Sequence, residues 1–350
     1  MGYKIVILGA SYGSLLGTKF VMAGHDVTLV CRKPTAELIN AEGTDVRIKL
    51  RDEDDHRSFR SNDLPGTMNA VTPEDVVASD YDLGVLAMSE PQYCNDAITA
   101  VLRGIGGAGL PCLSIMNMPP LPFLRRIEGL DTSTLESSFT CADVWNTLEP
   151  GRVTLCSPDP QAYRLAEEGA NVLHVGLPTN FKAAPFEKPQ HTQILRDLAE
   201  DIDALRVDGK DVPVKLRVFD SLFVPFAKWS MLLTGNYRCV LPDGVQAIRE
   251  AVQGDLDLSQ SIYTQVDAII RKLGADPEDL VPFEKYANAA EGLLRPSSAA
   301  RAVDGGADHI ERVDLLVKLI GDQLGVTSPE LDRIANTVSA RLAENQRAAA

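Results

Sequence analysis

The chain has 350 residues, enough for two domains of ordinary size, and its 45% apolar and 24% charged residues strike the usual globular balance. No apolar run approaches the ~20 residues that span a bilayer, and the first residues lack the charged, apolar and small-residue segments of a signal peptide. A cytoplasmic protein is expected. A formal net charge of −15 repels phosphate backbones and anionic surfaces, which argues against nucleic-acid and membrane partners.

Lys4 to Leu8 (KIVIL) is a continuous, largely β-branched run, the pattern of a strand buried on both faces of a parallel sheet. Gly9-Ala10-Ser11-Tyr12-Gly13 follows as a turn, then Ser14 to Ala23 as a helix, then Val27 to Val30 as a second strand. Strand, glycine turn, helix and strand within about thirty residues make a βαβ unit of the dinucleotide-binding kind. Further strands are expected at Val46–Leu50, Met68–Val71, Leu83–Ala87, Cys112–Ile115, Val153–Leu155 and Val172–Val175. Pro91 opens a helix expected to run to Arg103, and Gly104–Gly109 reads as a loop. From about Gln190 strand signals almost vanish. Ile194–Leu205, Leu222–Leu233, Ser259–Leu273 and Val313–Leu324 carry apolar residues at helical spacing, and Gln346–Ala350 reads as a frayed tail. The expected fold class is therefore α/β: a Rossmann-type doubly wound sheet over residues 1–188, then an all-helical domain over residues 189–350.

A helix N-terminus offers free N–H groups and a positive dipole end to a pyrophosphate, and glycines let the phosphates approach. Here Gly9, Ser11, Tyr12, Gly13 and Ser14 form that turn, with Ser11 near the place of a middle glycine and the spacing one residue short of GxGxxG. At the tip of the second strand an acidic residue would favour NAD. Arg32 and Lys33 stand there instead, and two cations suit a 2′-phosphate, so NADP is the expected cofactor. The bland alternatives are a tight strand–helix corner and two solvated surface cations. The six cysteines have no CxxC spacing and read as reduced, mostly buried side chains. The five histidines lack metal-ligand spacing, and no metal is expected.

Over almost its whole length the chain resembles the ketopantoate reductase (2-dehydropantoate 2-reductase) family, most loosely between Asp131 and Asp211. The resemblance is carried by Gly13-Ser14-Leu15-Leu16-Gly17, by His25 to Val30, by Phe226-Ala227-Lys228-Trp229, by Pro296-Ser297-Ser298 and by Gly325 to Leu331. It implies a helical half of the 6-phosphogluconate dehydrogenase type and a homodimer. It also implies roles for single residues. Gln92 lines the cofactor side and Asn117 sits near the nicotinamide. Lys228 is the catalytic lysine, Asn236 and Ser297 bind substrate, and Asn117 meets them from the other domain. The departures are Leu232 where the family has a second asparagine, His309 near a substrate-binding glutamate, and the short glycine turn.

Ketone reduction puts negative charge on oxygen, so a cation or proton donor belongs there, and Lys228 suits both tasks. Its apolar neighbours make a purely solvated lysine hard to arrange. On a continuous α-helix Asn236 lies ~80° around from it. Ser297 also reads as a helix N-cap. His309 reads either as a second acid–base group or as a surface histidine beside Asp308 and Glu311. The expected activity is an NADPH-dependent reductase of a 2-oxo acid or related ketone with an altered pocket. The competing readings are an opine-type, imine-reducing dehydrogenase and a non-catalytic NADP-binding sensor.

Overall fold

The computed structural model describes residues 2–349. The KIVIL run forms strand β1 (Lys4–Leu8), buried from Ile5 onward. Helix α1 (Tyr12–Met22) follows, then β2 (Asp26–Val30) and α2 (Lys33–Glu42). Strands β3 (Asp45–Lys49) and β4 (His56–Arg60) make an antiparallel hairpin, and β5 (Thr67–Val71) returns to the main sheet. Then come β6 (Leu83–Leu86), α3 (Asp96–Ala108), β7 (Cys112–Ile115), the short α4 (Leu121–Leu124) and β8 (Val153–Ser157). Strands β9 (Gln161–Tyr163), β10 (Val172–Leu177) and β11 (Phe181–Ala183) precede α5 (Pro189–Asp203). A two-residue pair, β12 (Arg206–Val207) with β13 (Lys210–Asp211), leads to β14 (Leu216–Val218).

The main sheet has eight strands in the order β14-β11-β8-β7-β6-β1-β2-β5. From β5 to β8 all are parallel, and β11 joins antiparallel to β8. That run is the doubly wound order, with its reversal between β1 and β6. A second sheet, β4-β3-β10-β9, pairs the early hairpin with strands from far along the chain.

The segment Gly104–Gly109 is not a loop: α3 continues through Ala108 and stops at Gly109, whose φ is +62°. Gly106 serves packing, because a Cβ there would lie 2.0 Å from the Thr147 carbonyl oxygen. Cys31, Cys112, Cys156 and Cys239 are free thiols, whereas Cys94 and Cys141 are not, so the reading of six reduced cysteines holds for four.

Contacts gather into two compact units. The first comprises the chain up to Met88, Gln92–Arg126 and Asp143–Asp220; the second comprises Ser89–Pro91, Ile127–Ala142 and Ser221 onward. Residues 189–220, expected in the helical domain, thus belong to the first unit, and short earlier segments belong to the second. The reason is α5, which buries Leu195, Leu198 and Ile202 in the same core as Ile5, Ile7 and Phe20.

In the second unit, α6 (Ala227–Met231) runs into a π-helical turn at Leu232–Asn236. A β15 (Val240–Leu241) and β16 (Gly244–Val245) pair precedes α7 (Ile248–Gln253), α8 (Leu256–Lys272), α9 (Phe283–Ala290), α10 (Ser298–Asp304), α11 (Val313–Gln323) and α12 (Pro329–Ala349). Gln346 to Ala349 continue α12 rather than fraying, and the Gln346 amide donates to the Asp308 carbonyl oxygen at 3.0 Å. Fully buried Asp314 takes a bidentate grip from Arg312, at 3.1 Å from Nε and 3.0 Å from Nη2. The same guanidinium reaches Ser339 Oγ at 2.9 Å, which ties α11 to α12. Among the described residues no helix is long and apolar enough to cross a membrane.

Lys19, on α1, is fully buried and donates from Nζ to the Pro213 carbonyl oxygen at 2.8 Å. The next residue, buried Val214, holds a φ of +64°, a strained value for a β-branched side chain. Burial, with some repulsion from Lys215, pulls the Lys19 pKa from 10.5 to about 7. The unfolded chain keeps that proton to about pH 10.5, while the folded chain releases it near pH 7. Stability therefore rises with pH across that window and is lost as pH falls toward 7. In urea melts, the stability difference between wild type and Lys19→Met should shift by roughly 2 kcal/mol in favour of wild type from pH 6.5 to pH 8.5. An unchanged difference would contradict the assignment.

Candidate active site

Within the first unit the expected cofactor residues gather at the carboxyl ends of adjacent parallel strands. Gly9 follows β1, Arg32 follows β2, Gln92 lies in the 3₁₀ turn after β6, and Asn117 stands two residues past β7. This edge is where doubly wound sheets bind their ligands.

The glycines here are required sterically. Gly9 has a φ of +107°, and a Cβ on it would lie 2.7 Å from both the Ala87 carbonyl oxygen and the Met88 side chain. Its N–H donates to the Val30 carbonyl oxygen at 3.0 Å, which joins the turn to the tip of β2. At Gly13 a Cβ would lie 2.7 Å from Ile7 Cγ2, so that glycine lets α1 press onto β1. Ser14 is buried and donates from Oγ to the Ala10 carbonyl oxygen at 2.5 Å, which fixes the turn from within. Ser11 is exposed at the start of α1 and does not cap it with its side chain, and the first turn carries no acidic residue. The dipole end of α1 is left for an anion.

Arg32 and Lys33 separate in character. Arg32 is exposed, and its guanidinium has no hydrogen bond or ion pair among the described residues. Lys33 opens α2 and stands 4.0 Å from Glu37 one turn on, with 77% of its side chain exposed. Gln92 is exposed and Asn117 half-buried. A residue not foreseen in the sequence, Arg164, donates from Nη2 to the Ala10 carbonyl oxygen at 2.6 Å. No local signal marks it; the β9–β10 pairing carries it there.

The second unit holds Lys228, Asn236, Ser297 and His309. Lys228 is half-buried on α6, between Ala227 and Trp229, and Trp229 stacks on Phe226 at 4.0 Å between ring centroids. The helix expected over Leu222–Leu233 is a composite: a 3₁₀ turn, α6, the π-helical turn and a second 3₁₀ turn at Tyr237–Cys239. A π-helical stretch turns less per residue than an α-helix, so Asn236 lies at a smaller angle from Lys228 than ~80°. Such turns recur at functional sites.

The π-helical turn has a visible cause. The Tyr286 hydroxyl donates to the Met231 carbonyl oxygen at 3.0 Å, which satisfies an acceptor near the break. That hydroxyl sits where a Cβ on Gly235 would be, 2.0 Å away. Ser297 Oγ donates to the Asn236 carbonyl oxygen at 2.7 Å and accepts from the Ala300 N–H at 3.0 Å, so it caps α10 and anchors Asn236 together. Tyr237 donates to the Glu311 carbonyl oxygen at 2.6 Å and accepts from the Val313 N–H at 3.1 Å. These bonds tie the loop carrying His309 to the same segment. His309 itself is exposed, with Nδ1 3.2 Å from Asp308. Hydrogen bonding to it holds the Asp308 carboxyl below its usual range.

No known family model and no curated protein sequence matches the chain. Solved structures do. A 2-dehydropantoate 2-reductase from Methylococcus capsulatus aligns with a TM-score of 0.66 at 14% identity, covering 98% of this chain and 97% of the other. A D-mandelate dehydrogenase, solved with NADH and anilino(oxo)acetate, aligns at 0.64 and 14%, covering 98% and 99%. A dimeric ketopantoate reductase from Staphylococcus aureus aligns at 0.62 and 11%, covering 98% and 99%. The chain has the ketopantoate reductase fold. At these identities the likeness establishes the fold, a Rossmann-type unit followed by helices, as the sequence patterns predict.

The π-helical turn yields a test. Gly235→Ala should destabilise the protein by about 2 kcal/mol, because the Tyr286 hydroxyl must move. In a Tyr286→Phe background the same substitution should cost about 1 kcal/mol less. Urea melts of the four proteins check this, and strict additivity would contradict it.

Proposed function

We propose that the protein is an NADPH-dependent reductase that transfers a hydride to the ketone carbon of a 2-oxo acid or related ketone. The observation that carries the reading is Lys228, half-buried on α6 between Ala227 and Trp229, in the helix that runs on into the π-helical turn ending at Asn236. It is supported by the shared fold with ketopantoate reductases and with a D-mandelate dehydrogenase bound to NADH and anilino(oxo)acetate. A homodimer belongs to the same proposal, by analogy with the dimeric Staphylococcus aureus protein.

The residues at the carboxyl edge of the sheet fit a dinucleotide. The α1 N-terminus, which Ser11 does not cap, would hold its pyrophosphate and Arg32 its adenosine end, and Gln92 and Asn117 would serve the nicotinamide side. A bound NADPH supplies the hydride. Lys228 then does the work of the protein: its ammonium holds the developing alkoxide and gives it a proton. Asn236 orients the substrate by its amide. Ser297 fixes Asn236, because its hydroxyl proton is committed to that residue's carbonyl oxygen. His309, exposed and paired with Asp308, is assigned to the substrate side, where it replaces an acceptor-only carboxylate by a group that can donate. Leu232, buried, makes one wall less polar than an asparagine would. Both changes point to a substrate other than ketopantoate.

A panel of 2-oxo acids and ketones, tested without amines by NADPH absorbance, should contain a substrate. With it, Lys228→Ala should lower kcat by roughly 10²- to 10⁴-fold while NADPH binding is kept. Unchanged turnover would remove Lys228 from the site, and turnover only with an added amine would favour the imine-reducing reading.

A further inference from the structure

A second guanidinium, that of Arg164, reaches the glycine turn that adjoins the β2 tip. Arg164, one residue past β9, reaches the glycine turn through its 2.6 Å bond to the Ala10 carbonyl oxygen. The preceding residue, Gly9, is hydrogen-bonded to Val30 at the end of β2. Arg164 therefore stands over the junction where the turn meets Cys31 and Arg32. The Cys31 thiol senses both: burial pushes its pKa up, and the charges of Arg164 and Arg32 oppose that rise.

Neither guanidinium has a carboxylate partner among the described residues. That is unexpected in a chain with 49 acidic and 34 basic side chains. A doubly charged anion bound at this junction would be attracted by both charges. Arginine forks match phosphate oxygens in pairs, and Arg164 uses only one N–H on Ala10. Lys33, by contrast, sits near its own helix's Glu37 and is mostly solvated.

We propose that Arg164 and Arg32 together seat the 2′-phosphate of the cofactor's adenosine, which makes Arg164 a specificity-determining residue for NADPH over NADH. This rests on the dinucleotide reading above and adds to it a residue from the second sheet. With NADH a hydroxyl would face the pair and leave both charges uncompensated. The hairpin that carries Arg164 lies in the stretch where the chain departs most from the family pattern, so the second sheet gains a purpose: it delivers a cation to a glycine turn that is one residue short.

The test is nucleotide binding, followed by nicotinamide fluorescence with NADPH and NADH separately. Arg164→Ala should weaken NADPH binding roughly ten- to hundredfold and leave NADH binding within about twofold. Arg164→Lys should fall between, since it keeps the charge and loses the fork. Retained NADH binding also reports that the turn is folded. Equal loss of both nucleotides would overturn the proposal, because Arg164 would then act only by propping Ala10. No loss of NADPH binding would overturn it too. Wild-type protein that binds neither nucleotide would overturn the dinucleotide reading itself and this proposal with it.

Discussion

At Gly9 three strands meet with no room to spare. Its N–H bonds to the end of β2, and its α-carbon lies against the Ala87 carbonyl just beyond β6. Its φ of +107° turns the chain from β1 into α1. Any side chain would force β1 and β6 apart at the sheet's topological reversal. The carboxyl edge of the sheet depends on this contact, because Ser11 at the head of α1, Arg32 past β2 and Arg164 on Ala10 are all positioned from the same corner. Gly13 repeats the constraint one turn on, where α1 presses onto Ile7.

The second unit solves a comparable problem differently. A regular α-helix through Lys228 and Asn236 would leave its carbonyls paired internally. Here the Tyr286 hydroxyl takes the Met231 carbonyl, and Ser297 takes that of Asn236. A side chain on another helix thus satisfies each of these two carbonyls, which stabilises a geometry that local propensity does not favour. Lys228 precedes that irregularity and Asn236 ends it, so the segment that is hardest to build is the one the proposed chemistry uses. Tyr237, next in the chain, carries the same fixing to the loop of His309.

The order of elements was legible because burial on both faces forces continuous apolar runs such as Ile5 to Leu8, and half-burial forces helical spacing such as that of α8. Glycine was the least legible residue. Gly104, Gly106 and Gly107 read as a loop but lie inside α3; Gly106 is there for its close approach to Thr147, and a glycine chosen for packing looks the same in sequence as one chosen for a turn. The helix at Leu222–Leu233 was visible as apolar periodicity, but its π-helical turn depends on Tyr286, some fifty residues further on by the pairing of that hydroxyl with Met231. Helix α5 was visible as a helix, while its place in the first unit was set by tertiary packing that periodicity does not encode. Arg164 was invisible for a related reason: only the β9–β10 pairing and its alignment with β3 bring it to Ala10. The basic pair Arg32–Lys33 was plain in the sequence, but which of the two is unpaired required Glu37 to be seen beside Lys33.

The central claim is that the carboxyl edge of the parallel sheet takes a dinucleotide. Amide hydrogen exchange with and without NADPH tests it most directly, because the phosphates would engage backbone N–H groups at the head of α1. The account predicts protection at the turn from Gly9 to Ser14 and at the β2 tip around Cys31 to Ala36. Saturating NADPH that leaves both segments exchanging at their free rates would contradict it.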